Sequence, residues 1–172
     1  MYNPGPGRHS EEYIELYNLS GSAETLYVIS ESEPWKFTNG IDFTFPASPN
    51  EVTIDPGECL LVVKDPTAFT ARYGSMPAGV EVVGPYDGLL ANDGEKLEIS
   101  KPGDEQDGTR YYIRIDRVNY SDGLHPDNCP GGVDLWPTEP DGDGNSLHRI
   151  FAQYYGNDPN NWQAAPPTPG VL

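Results

Sequence analysis

The chain has 172 residues, 36% of them hydrophobic and 11% aromatic, and its 27 acidic and 10 basic side chains give a formal net charge of −17. A surface so acidic repels nucleic-acid phosphates and anionic lipid head groups, which require clustered Lys and Arg, and no apolar run approaches the ~20 residues that cross a bilayer. With 11 Tyr, 3 Trp and 5 Phe, and with 19 Gly and 18 Pro spread between apolar runs, the composition excludes a disordered chain and indicates one many-turned β domain.

In chain order, Met1-Tyr2-Asn3-Pro4 runs into turn residues without a signal-peptide pattern. Residues 12–17 alternate and stop at Asn18-Leu19-Ser20-Gly21, a strand followed by a turn. Residues 25–29 form a second β-rich run. Residues 41–45 alternate, with Ile41, Phe43 and Phe45 on one face, and Pro46 ends them. Pro56-Gly57 turns into residues 59–63, apolar on both faces and therefore a central strand.

One short helix is predicted over 66–73. Asp65 caps it, Pro66 suits its first position, Phe69 and Tyr73 share its buried stripe, and Gly74 closes it. Asn92-Asp93-Gly94 is a hairpin signal before residues 96–99, and Asp104-Glu105-Gln106-Asp107 reads as a solvated hairpin tip. Between residues 111 and 120 the pattern changes phase: Ile113 and Ile115 have one parity, Val118 and Tyr120 the other. A β-bulge near Asp116-Arg117 accounts for that switch. Residues 121–145 form a long loop rich in Asp, Gly and Pro, residues 146–150 a final short strand, and the tail is Pro-rich. About eight short strands and one helix predict an all-β fold, a β-sandwich occupying residues 1–172 as a single domain.

Several segments agree, in order, with one family. They are Met1-Tyr2-Asn3-Pro4, residues 12–18, the Pro56-Gly57 turn with its following strand, and Leu90-Ala91-Asn92-Asp93-Gly94-Glu95-Lys96-Leu97. Then come residues 116–120, Trp136-Pro137, residues 144–150, Asn161-Trp162-Gln163 and Thr168-Pro169-Gly170. In these the chain resembles the lamin tail domain family, in particular its bacterial, extracellular branch. The resemblance covers nearly the whole chain and implies an immunoglobulin-like sandwich without catalytic residues. It also implies a domain cut from a larger secreted or surface protein, with Met1-Tyr2-Asn3-Pro4 the end of the family's first strand. The helix near Asp65 and the long 121–145 loop fit the bacterial members better than the nuclear ones.

Candidate chemistry is sparse. Asp141, Asp143 and Asn145 place side-chain oxygens at alternate positions, with Gly142 and Gly144 letting the backbone curl, and Asp134 and Glu139 lie nearby. This is the pattern of a calcium loop, although Ser146 and Ala152 stand where an EF-hand needs Gly and Glu. The competing reading is a polar turn before the last strand. Ser146 and His148 resemble a nucleophile and base, but the closing Gly and an acid partner are missing. His9, His125 and His148 lack metal spacing, and His125, Asp127 and Cys129 share a loop that could hold a soft metal only with a fixed geometry.

Trp35, between Pro34 and Lys36, is the best exposed platform for a sugar face, with Trp136 second, whereas Trp162 reads as core. Cys59 reads as a small buried hydrophobe, and Cys59 and Cys129 allow one disulfide. The expected function is a non-catalytic interaction or spacer module of an extracellular or cell-surface protein that binds neither nucleic acid nor membrane. No cofactor is expected apart from that calcium loop, and neighbouring domains of the parent protein are the expected partners. The alternatives are a calcium-dependent carbohydrate or polymer binder and a hydrolase domain.

Overall fold

The strongest apolar run dictates the centre of the fold. In the computed structural model, which describes residues 1–129 and 131–171, residues 59–63 are all buried. The elements in order are β1 (Tyr13–Tyr17), β2 (Glu24–Thr25), β3 (Tyr27–Val28), β4 (Glu33–Pro34), β5 (Lys36–Asn39), β6 (Thr53–Ile54), β7 (Cys59–Val63), α1 (Pro66–Tyr73), β8 (Glu81–Val83), β9 (Gly94–Gln106), β10 (Thr109–Ser121), β11 (Ser146–Arg149) and β12 (Trp162–Ala165). Among the described residues the fold is β-rich with one short α-helix, and no helix is long and apolar enough to cross a membrane.

β7 lies between antiparallel β1 and parallel β8. A parallel neighbour needs a crossover connection, and α1 supplies it. Both faces of β7 are therefore covered. Leu60 and Val62 enter the main core, while Leu61 and Val63 pack with Tyr13 and Phe69 beneath the helix. The helix forms as the sequence predicts: the Asp65 carboxylate accepts the N–H groups of Thr67 (2.8 Å) and Ala68 (3.1 Å), and Phe69 is its buried residue.

The second three-stranded sheet has the order β10-β9-β5. Asp107 and Gly108, both with positive φ, turn β9 into β10, so the acidic stretch is indeed an exposed hairpin tip. The expected bulge is present just before Asp116: Arg114 faces Ser100 and Asp116 faces Ile99, leaving Ile115 as the extra residue. A second register shift, between Arg110 and Tyr112, has no counterpart in the phase of the apolar pattern.

Four sequence expectations need correction. Residues 41–45 keep their burial alternation, but they form isolated bridges rather than a strand, because the N–H groups of Phe37 and Phe45 go to the carbonyls of Phe43 and Trp35. Residues 25–29 divide into β2 and β3, which pair with β6 and β4 on either side of buried Leu26. Asn92-Asp93-Gly94 makes a turn but no hairpin, since β8 pairs with β7 and not with β9. Finally, β11 is not the last strand. The tail returns as β12, which pairs with it from Ser146↔Ala165 to Arg149↔Trp162. Both cysteines are free thiols; Cys59 is buried, and burial pushes its thiol up to about 11.

Candidate functional site

The long loop folds back over the start of β9 and the end of β10, and one carboxylate organises it. Asp134 accepts the Ser121 hydroxyl (2.5 Å) and the backbone N–H groups of Trp136 (3.1 Å) and His125 (3.2 Å). Burial opposes its ionisation, but these three donors outweigh that and hold the carboxyl below its ordinary value. Asp122, itself buried, accepts Leu124 N–H at 2.9 Å and lies 3.5 Å from His125 Nε2. The result is a cleft of about 180 Å³ lined by Glu95, Tyr120, His125, Asn128, Cys129 and Trp136, among others.

The cleft is polar and has room for a few waters or one small polar group, below the size of an ordinary ligand pocket. Desolvation and the adjacent Asp134 raise the Cys129 thiol above its usual value, so it stays protonated at neutral pH. His125 and Cys129 thus line one cleft, as their shared loop suggested. Among the described residues, however, no three His, Cys, Asp or Glu side chains converge on a metal position.

The 141–145 loop carries the residues of the expected calcium pattern in different settings. Asp141 takes the Asn3 amide Nδ2 at 2.6 Å, Asp143 is exposed and Asn145 is half-buried. One oxygen of Asp141 thus helps tie the N-terminal segment down. Ser146 and His148 do meet, with Oγ 2.7 Å from Nε2, since alternate residues of β11 share a face. Ser146 is buried, and burial lowers the His148 imidazole, which leans on the Pro166 carbonyl rather than on a carboxylate.

The tryptophans overturn the sugar-platform expectation. Trp35 and Trp136 are each only 8% exposed and belong to the main core, where Trp136 packs on half-buried Trp162 with ring centroids 6.1 Å apart. Pro34 and Lys36 misled because Trp35 N–H and C=O bond Leu26 and Phe45, which turns the ring inward.

Two exposed apolar surfaces escaped the sequence reading. One is the 150–155 segment, where the Phe151 and Tyr154 rings meet at a tilt with centroids 4.9 Å apart and the Tyr155 hydroxyl accepts Arg117 Nη2 at 2.9 Å. The other is on β10: Tyr111, Ile113 and Ile115 are 45–55% exposed, and a groove of about 400 Å³ runs past Tyr111, Ile113 and Gly103. The signal was there in Ile113 and Ile115, whose parity opposes that of the core residues Val118 and Tyr120. No family model, curated protein or solved structure matches this chain.

Proposed function

We propose that the chain is a non-catalytic interaction or spacer module of a larger secreted or cell-surface protein, built as an immunoglobulin-like β-sandwich of the lamin tail kind. Two three-stranded sheets that send side chains into one core favour the sandwich: Leu60 and Val62 come from β7, and Phe37, Ile99 and Tyr120 from the β10-β9-β5 sheet. The reading rests chiefly on how the loop cleft uses its polar groups. Asp134 spends three hydrogen bonds on loop shape, and the neighbouring Cys129 thiol is held protonated, so the cleft's best nucleophile is unactivated.

The test is a panel of ester, glycoside and peptide substrates. No turnover above buffer is expected; turnover that Cys129→Ala or Ser146→Ala abolishes would overturn the reading.

A second reading, a polymer or carbohydrate binder, is favoured by the exposed Phe151, Tyr154 and Tyr155, since sugar faces stack on such rings. Affinity electrophoresis in soluble polysaccharide should then retard the chain, and Tyr154→Ala should remove the retardation. Calcium dependence through Asp141, Asp143 and Asn145 requires that chelation and Asp143→Ala do the same.

A further inference from the structure

β10 is the outermost strand of its sheet, and its two halves are finished differently. From Asp116 onward the 149–157 segment covers it: Arg149 meets Asp116 at 2.7 Å, Tyr155 meets Arg117, and Asn157 accepts Asn119 N–H at 2.6 Å. Residues 109–115 have no further strand beside them among the described residues. A row of open backbone donors and acceptors beside exposed apolar side chains is a template for another strand. The two register shifts bound the stretch, and between them Tyr111 and Ile113 border a groove floored by Gly103. There a Cβ on the glycine would come within about 3.0 Å of the Ile113 side chain.

Charge selects the occupant. Of ten basic side chains, Arg8, Arg72, Lys96, Arg110, Arg114 and Arg149 reach a carboxylate within the chain. Of the four without a carboxylate partner among the described residues, Lys36, Lys101 and Arg117 lie on the β10-β9-β5 sheet. Lys36 and Arg114 are both paired in register with Ser100 and so share one face, where Lys36 Nζ lies 3.9 Å from the centre of the Tyr112 ring; Arg114, more than half exposed, stands 3.8 Å from its nearest carboxylate, a weak and screened contact. In a molecule with a surplus of carboxylates, cations left over beside an apolar edge await an anion from outside.

We propose that the free edge of β10, residues 109–115, takes an extended segment of another polypeptide as an added strand. Its apolar side chains lie against Tyr111 and Ile113, and its carboxylates, on the opposite face, meet Arg114 and Lys36. This is β-augmentation, in which backbone bonds give affinity and alternate side chains give specificity. It deepens, and rests on, the interaction-module reading.

The experiment uses the whole chain and a fluorescein-labelled peptide, Gly-Ser-Val-Glu-Val-Glu-Val-Glu-Gly-Ser, with its Lys-for-Glu counterpart, followed by anisotropy at about 0.15 M salt. The overall charge of −17 favours the Lys peptide at long range. A preference for the Glu peptide therefore reports the local site and not the global field. Saturable binding of the Glu peptide is expected, about 5-fold or more tighter than the Lys peptide, with Arg114→Glu reversing the order. Ile113→Thr, which keeps β-propensity and should fold, is expected to weaken binding by about 5-fold.

Equal or tighter binding of the Lys peptide, no saturation by about 1 mM, or indifference to both variants would overturn the proposal. So would a dimer in sedimentation that the same variants dissolve, since a second copy would then own the edge. Failure to bind leaves the non-catalytic reading standing, whereas cleavage of the peptide, visible by mass spectrometry, removes that reading instead.

Discussion

Glu12 is the side chain on which most depends, being fully buried at the start of β1's approach. Its Oε2 accepts both the Tyr86 hydroxyl and the Leu90 N–H at 2.9 Å, joining the N-terminal segment to the 86–90 connection. Burial raises its carboxyl above the ordinary value, and the Leu90, Tyr86 and His9 contacts only partly offset this. A raised folded value means that the fold prefers the neutral acid. Its stabilising contribution is complete below the ordinary carboxylate range and is lost as pH rises through the raised value. Chemical denaturation of wild type and Glu12→Gln between pH 4 and 7 should show wild type losing stability relative to the variant as pH rises; parallel curves would contradict this. Glu12→Ala should be worse at every pH, by about 1–3 kcal/mol for each orphaned donor. Gly94 is a second single-residue constraint: its φ is +112°, and a Cβ there would collide with the Tyr120 carbonyl oxygen. Gly94→Ala is expected to lower stability by about 2–4 kcal/mol, read from the denaturation midpoint.

Among elements, β7 and α1 were the most legible in the sequence, because their signals were local, whereas β8, the short parallel strand that follows, was not read. An apolar run on both faces required cover on both, and Asp65, Pro66 and Gly74 punctuated the helix that supplies one of them. Asp65→Ala should cost about 1 kcal/mol and Phe69→Ala about 3–5 kcal/mol in equilibrium unfolding. β12 was illegible for the opposite reason. Its pairing with β11 spans a connection from 150 to 161 held by long-range bonds, with Asn161 bridging Phe151 and Trp162 Nε1 bonding the Gly156 carbonyl at 2.8 Å. No local pattern encodes that return. Deleting residues from 160 onward removes the partner of β11 and the ring beneath Trp136, so the shortened chain should lose its cooperative thermal transition. A melting temperature within a few degrees of the full chain would contradict this assignment. The bulge on β10 was legible because two apolar parities met there, but which parity faces solvent depends on where the core ends, and the strand itself does not record that.

On the scale of the whole molecule, the charge is uneven. In a chain of net charge −17, three of the four Lys and Arg side chains without a carboxylate partner among the described residues, Lys36, Lys101 and Arg117, lie on one sheet, so the acidic surface that argues against nucleic acid also gives that sheet its contrast. No micromolar complex with duplex DNA at physiological salt is expected, since clustered cations sufficient to displace counterions are lacking. Of the candidate sites, the sequence located the residues and misjudged their surroundings. Trp35 and Trp136 went into the core, and the exposed apolar surface turned out to be the Ile113 and Ile115 parity and the 150–155 aromatics. Exposure is a property of neighbours distant in sequence, which neither a Trp between polar residues nor an alternating acidic loop can report. Backbone hydrogen exchange with and without the Glu peptide tests the free edge of β10 most directly. Without peptide, the outward amides of residues 109–115 should exchange rapidly while those of 116–121 are protected. With peptide, protection should appear within 109–115. Protection of 109–115 in the free chain, or peptide-induced protection confined to the Cys129 cleft, would contradict the account.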